Sequence, residues 1–113
     1  MTNPEEHLPL TPAVFYILLV LADGERHGYS IMKEVEAHSE GQVKMGPGTL
    51  YGSVKRMLAS NLIEETESLE NDDDERRRYY RLTDFGRRVA AAEARRLSAL
   101  VALAQAKKLL KGA

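Results

Sequence analysis

The chain has no cysteine and no tryptophan. Without cysteine there are no disulfides, no thiolate nucleophile and no sulfur ligand for a metal, and the composition suits a reducing compartment. Long apolar runs are missing too. The longest, Ala13–Ala22, is too short to cross a bilayer as a helix. No basic segment followed by an apolar run opens the chain, so no secretory signal is expected. Neither sign of charge is in excess: 16 lysines and arginines stand against 17 aspartates and glutamates, a formal net charge of −1. Such a chain is no polybasic binder, and any contact with nucleic acid must come from clustered cations. What is present is 43% apolar content over 113 residues, enough for one small folded domain without room for a second sizeable core.

One local absence is more informative than the totals. Between Gly41 and Ile63 there are three basic residues, Lys44, Lys55 and Arg56, and no acidic one. The stretch opens on Gly46-Pro47-Gly48, a turn that a helix interior tolerates poorly. Thr49 or Gly48 is then placed to cap a helix running to about Asn61. Leu50, Val54, Met57, Leu58 and Leu62 make its apolar stripe, and Tyr51, Ser53, Lys55 and Arg56 make the opposite face. A helix lying against phosphates needs a face free of carboxylates. An ordinary amphipathic helix with a solvated face has the same periodicity, so the flanking segments must decide between the two.

Residues 1–9 are polar, carry two prolines and read as a mobile arm. Thr11-Pro12 is a helix start, with Thr11 as N-cap and Pro12 at the first helical position. The helix that follows, Ala13–Leu21, is apolar nearly all round and therefore needs two burial partners, the domain core and a second subunit. A turn over Ala22–His27 leads to a second helix, Gly28–Ser39, with Ile31, Met32 and Val35 inward, Tyr29 at the border and Gly41 as its left-handed cap. After the central helix the period changes. Ile63–Glu67 and Arg78–Leu82 are short strands joined by a polar tip, and the segment around Val43 is the candidate third strand. Thr83-Asp84 then caps a helix running to about Leu110, long enough that its distal half must pack outside its own domain.

Helix, helix, helix, hairpin, helix is the order of a winged helix-turn-helix. The fold class expected is mostly α with a small β-hairpin, a winged helix-turn-helix plus a long C-terminal dimerisation helix. The division is 10–83 for the DNA-binding domain and 84–113 for the dimerisation helix.

The residues also resemble a known family. Leu10-Thr11-Pro12 before the first helix, His27-Gly28-Tyr29-Ser30-Ile31 opening the second and Gly48-Thr49-Leu50-Tyr51 opening the third are similar to the PadR-like family, named for the phenolic acid decarboxylase regulator. So are Leu62-Ile63 and Arg77-Arg78-Tyr79-Tyr80-Arg81-Leu82-Thr83. The resemblance implies a dimeric transcriptional repressor, dimerised through its C-terminal helical region with help from the first helix. Only one long helix follows Thr83, as in the small subfamily, so an effector pocket in a larger C-terminal domain is not implied. With no tryptophan, neither is the aromatic stacking site of some drug-sensing relatives.

The residues expected at DNA are Thr49, Tyr51, Ser53, Lys55 and Arg56 on the central helix, Lys44 before it, and Arg76, Arg77 and Arg78 beside the acidic tip Asp72-Asp73-Asp74-Glu75. Hydroxyls and amides at the helix start suit phosphate, and Lys55 and Arg56 suit phosphate or a guanine edge. Those expected at the dimer contact are Phe15, Leu18 and Leu19 on the first helix and Val89, Leu97, Leu100, Val101 and Ala104 on the last. His7, His27 and His38 lack metal-ligand spacing, and His27 reads as a capping or packing residue. No cofactor is expected, and no clustered acid, base and nucleophile points to an enzyme. The partners expected are double-stranded DNA, a second copy of the chain and, as candidate effector, a small apolar molecule between the first and last helices, all in the cytoplasm without a membrane. The rival reading is a winged-helix module that binds protein without specific DNA recognition.

Overall fold

The computed structural model describes residues 3–66 and 78–111. Thr11 and Pro12 start helix α1, Pro12–Leu21, with Thr11 Oγ1 accepting the Val14 amide at 3.2 Å. A two-residue strand β1, Arg26–His27, precedes helix α2, Gly28–His38. Helix α3, Pro47–Ala59, is followed by strands β2, Ile63–Thr66, and β3, Tyr79–Leu82, and by helix α4, Asp84–Ala106. The core gathers Ile17, Leu18, Val20 and Leu21 from α1, Ile31 and Val35 from α2, Leu50, Val54 and Met57 from α3, and Leu62, Ile63, Tyr80 and Val89 from the elements that follow. Burial of each large aliphatic side chain among these contributes about 1.5–3 kcal/mol.

His27 caps α2: its Nδ1 accepts the Ser30 amide at 3.2 Å, as its position before Gly28 suggests. The same helix closes with Glu40 and Gly41 both at positive φ, +54° and +81°, and the first left-handed position is Glu40 rather than the expected Gly41. The Gly41 amide then returns to the Glu36 carbonyl at 2.8 Å. Helix α3 is capped by Gly46, with Pro47 at its first position, three residues before the expected Thr49 cap and two before the alternative, Gly48. Proline's fixed φ makes it a natural first helical residue, and this outweighed its role as a turn former. Asn61, at φ +62°, ends the helix, and the Leu62 amide reaches back to the Met57 carbonyl at 2.9 Å.

The sheet order is β1-β3-β2, antiparallel throughout. Arg26 faces Tyr80 and His27 faces Tyr79 across one side of β3, and Ile63 faces Leu82 across the other. The third strand is therefore Arg26–His27 and not the segment around Val43. Ser39 explains why: its Oγ accepts the Val43 amide at 2.9 Å, so the donor that a strand would use is occupied locally. The N-terminal residues are also not a free arm. Pro4–His7 forms a 3-10 turn, and the His7 ring meets Phe85 of α4 edge-on, centroids 5.3 Å apart.

Two contacts set the position of α4. At its start, Thr83 Oγ1 accepts the Gly86 amide at 2.8 Å and donates to the Asn61 carbonyl at 2.6 Å, while the Thr83 amide donates to the Leu62 carbonyl at 3.1 Å. Gly86 is pressed so close that an added Cβ would lie 1.8 Å from the Leu62 carbonyl oxygen. One turn beyond Val89, Glu93 is 1% exposed. Its carboxylate accepts from the Arg96 guanidinium and, at 2.8 Å, from the Leu10 amide, tying α4 to the chain that leads into α1. The hydrogen bond from Arg96 holds the Glu93 carboxyl below the ordinary carboxylate range, with the Leu10 amide and the Arg96 charge adding, against the cost of burial. The same bond raises the Arg96 guanidinium. Helix α4 ends at Ala106, four residues before the expected Leu110, because Lys108 turns left-handed at φ +61° and closes the last turn.

Two stability predictions follow from these contacts. Gly86→Ala meets backbone, which cannot rotate away, and should cost roughly 2–3 kcal/mol in urea unfolding. Because the folded-state pKa of Glu93 is depressed, its ionised form adds stability above the ordinary carboxylate value, and that stability is lost as pH falls through the lower folded value. Glu93→Gln should therefore unfold at lower urea than the wild type at neutral pH, with the gap narrowing as pH falls below the ordinary carboxylate range.

Candidate nucleic-acid interface

The core claims one side of α3 and leaves the other bare. Leu50, Val54 and Met57 are buried, whereas Thr49, Tyr51, Lys55 and Arg56 are exposed, as is Lys44 before the helix. Ser53 is not on that outer face: it is 3% exposed. Its position explains this, because Ser53 lies three residues after Leu50 and next to Val54, within the same helical stripe. Its polar character suggested the outside, but the period places it inside. Ser53 Oγ lies 3.3 Å from Arg56 Nη2 and accepts from it, so the buried hydroxyl holds the guanidinium one turn along.

Charge sharpens the contrast. Elsewhere, Arg26 pairs with Glu34 at 2.8 Å, Arg81 with Glu64 at 2.7 Å and Arg96 with Glu93. Among the described residues, Lys44, Lys55 and Arg56 form no ion pair. Arg87, Arg88 and Arg95 of α4 form none either, but α4 also carries Asp84 and Glu93, whereas the stretch from Gly41 to Ile63 holds no acidic residue. The start of α3 is open as well. No side chain caps it, and a Cβ built on Gly46 or Gly48 would have nothing within 4 Å. The uncapped amides of the first turn, the hydroxyls of Thr49 and Tyr51 and the unpaired cations together form a surface that attracts anions.

On the wing side, Arg78 is exposed and faces Glu65 at 3.8 Å, a solvated pair worth about 0–1 kcal/mol and easily exchanged for another anion. Arg76, Arg77 and the acidic tip lie outside the described residues. The two tyrosines of β3 alternate: Tyr80 is buried and Tyr79 half-buried, its ring edge-on to His27. Burial pushes the Tyr80 phenol above its ordinary range, and Glu65 and Tyr51 push the same way against Arg78. Tyr80 is therefore a neutral core group. Tyr29, placed at the border by its spacing, is 60% exposed, with Lys33 Nζ 5.6 Å from its ring centre. The helical period leaves Tyr29 between core and surface, and in the fold its ring lies at the surface against His27 and Lys33 of its own segment. Tyr51 of α3 reaches this first turn of α2, since a Cβ built on Gly28 would lie 2.3 Å from its phenol oxygen.

The expected dimer residues divide in two. Leu18 and Val89 are fully buried in the core of their own chain and offer nothing to a second one. Helix α1 is apolar on every side, so its sequence could not say which face turned inward. Phe15, Leu97 and Ala104 are half-buried, and Leu19, Leu100 and Val101 are exposed. Phe15 and Leu19 are four residues apart on α1, and Leu97, Leu100, Val101 and Ala104 share one face of α4. Between the helices lies a groove of about 390 Å³, walled by Leu10, Phe15, Tyr16, Leu19 and Leu97, with Glu93 and Arg96 at its polar end. No helix of the described residues is long and apolar enough to cross a membrane.

This arrangement matches known proteins. The sequence profile of the Transcriptional regulator PadR-like family matches residues 17–92. A PadR family transcription regulator from Clostridium difficile superposes with a TM-score of 0.72 at 25% identity, over 88% of this chain and 100% of that one. Bacillus subtilis PadR, solved in complex with operator DNA, shares the fold with a TM-score of 0.63 at 20% identity, over 74% of this chain and 46% of that one. A 37.1 kDa uncharacterised protein of transposon TN4556 from Streptomyces fradiae is 35% identical over 88 residues, 78% of this chain. The chain spans 24% of the length of that relative. A profile match over some two thirds of the chain, on a winged helix-turn-helix whose third helix is bare and cationic on one side, places this protein in the PadR-like family of transcriptional regulators.

Proposed function

We propose that this regulator is a repressor that binds pseudo-palindromic promoter DNA as a homodimer, with α3 as its recognition helix. The observation that carries the reading is the outer face of α3, where Lys55 and Arg56 stand exposed without a carboxylate partner on a stretch, Gly41 to Ile63, that holds no acidic residue. Ser53 orients Arg56 from behind, which suits a donor fork aimed at a base edge or phosphate. Thr49, Tyr51 and the open helix start add phosphate contacts, with Lys44 and Arg78 at the margins. Residues 10–83 thus read the DNA, and the helix within 84–113 holds two copies together. The exposed apolar face of α4 supports the second half of this reading, because Leu100, Val101 and Leu103 lie beyond the reach of their own core. Two-fold symmetry then sets the half-sites about 34–36 Å apart, one turn of DNA. The compartment is the one that holds the chromosome, the cytoplasm of a bacterium.

An effector fits the same architecture. A small apolar molecule in the groove between α1 and α4 would touch both the core and the dimer face. It would change operator affinity only by binding two arrangements of the dimer unequally.

Two outcomes test the reading. Lys55→Ala with Arg56→Ala should weaken binding to a duplex selected by the wild-type protein about a hundredfold, while far-UV circular dichroism stays unchanged. Equal affinity in that variant would move the interface elsewhere. Leu100→Glu should convert dimer to monomer in light scattering and weaken operator binding with it, and a variant that stays dimeric would remove α4 from the contact.

A further inference from the structure

Gly28 opens α2, and nothing in its backbone requires glycine. Its φ is not in the left-handed region, unlike those of Gly24 and Gly41. A glycine in a helix is otherwise a liability, since alanine restricts the unfolded chain and favours the helical state. The demand lies in what the missing side chain admits. A Cβ built there would stand 2.3 Å from Tyr51 Oη, 2.8 Å from Tyr51 Cζ and 3.2 Å from Leu50 Cδ2. All three nearest atoms belong to side chains of α3, in contrast to Gly86, where the obstacle is the backbone of Leu62. The end of the Tyr51 side chain therefore occupies the space a β-carbon would fill, although the residue is 47% exposed.

We propose that Gly28 is a positioning residue for DNA recognition: the bare backbone at the start of α2 seats the Tyr51 phenol and fixes how the recognition helix presents that ring. The inference rests on the reading of α3 as the DNA-contacting helix. A half-exposed tyrosine without a seat would sample several rotamers and lose that freedom on binding. With its tip lodged against α2, the ring is ordered beforehand, and its position is tied to the spacing of the two helices of the helix-turn-helix. Alanine at 28 meets side chains only, the end of Tyr51 most severely and Leu50 Cδ2 at 3.2 Å, so a shift of a few tenths of an ångström at Leu50 keeps the fold while the Tyr51 ring is expelled toward solvent.

The test is a double-mutant cycle on a duplex selected from a random pool by the wild-type protein. Gly28→Ala should weaken binding about three- to tenfold, the cost of ordering one side chain anew. In a Tyr51→Ala background the same change should matter by less than about twofold. In the DNA-free protein, a nuclear Overhauser contact between the Gly28 α-protons and the Tyr51 ring should be present in the wild type. Unchanged affinity in Gly28→Ala, an equal loss with and without Tyr51, or absence of that contact would each overturn the inference. The Lys55→Ala, Arg56→Ala variant separates the two failures. If it loses binding while Gly28→Ala does not, only the seat is wrong; if neither loses binding, the DNA reading of α3 falls with it.

Discussion

The junction between the end of α3 and the start of α4 is the constraint on which the rest depends. Asn61 and Leu62 leave α3 through a left-handed turn, and their carbonyls are taken at once by Thr83, through its hydroxyl and its amide. Gly86 then allows α4 to lie directly on the Leu62 carbonyl. These few contacts join the cationic helix to the long one without any intervening linker. The orientation of one helix is therefore inherited by the other, and in the proposed dimer two copies joined along α4 would carry two copies of α3 at a defined separation. Glu93 adds a second anchor by holding α4 to the segment before α1. A rigid path from dimer face to recognition face is what a reader of two half-sites needs.

Around that frame the two sides of the molecule are specialised by what they leave unsatisfied. Along α3 the unsatisfied groups are positive charges and helix-start amides, which seek anions. Along α4 they are the side chains of Leu100, Val101 and Leu103, which seek apolar cover. Helix α4 has 23 residues and is about 35 Å long at 1.5 Å per residue, but its deeply buried positions stop at Glu93. The near-zero net charge of the chain is compatible with DNA binding because the cations of α3 are kept apart from carboxylates, not because they are numerous.

Much of this was legible in the sequence, for identifiable reasons. Thr11-Pro12 and Thr83-Asp84 mark helix starts by chemistry that needs no tertiary context, and His27 marks another by its place before a helical run. The exclusion of acids between Gly41 and Ile63 marks out α3, although the same stretch also fits an ordinary amphipathic helix with a solvated face. Other features depend on contacts distant in sequence. A two-residue strand such as Arg26–His27 has no period, and only its pairing with β3 reveals it. Glu93 looks like any helix glutamate until Arg96 and Leu10 close around it. Ser53 is polar, which suggests the outer face, yet it falls within the apolar stripe and is buried. Leu18 could not be told from Leu19 on a helix apolar all round, although one is fully buried and the other exposed.

The central claim is geometric: two copies of α3, carried by one α4 contact, enter the DNA one helical turn apart. Hydroxyl-radical footprinting of the dimer on a selected duplex measures this directly. The account predicts two protected patches on one face of the duplex, related by a two-fold axis and centred about 10 base pairs apart. A single patch, or patches on opposite faces, would contradict it.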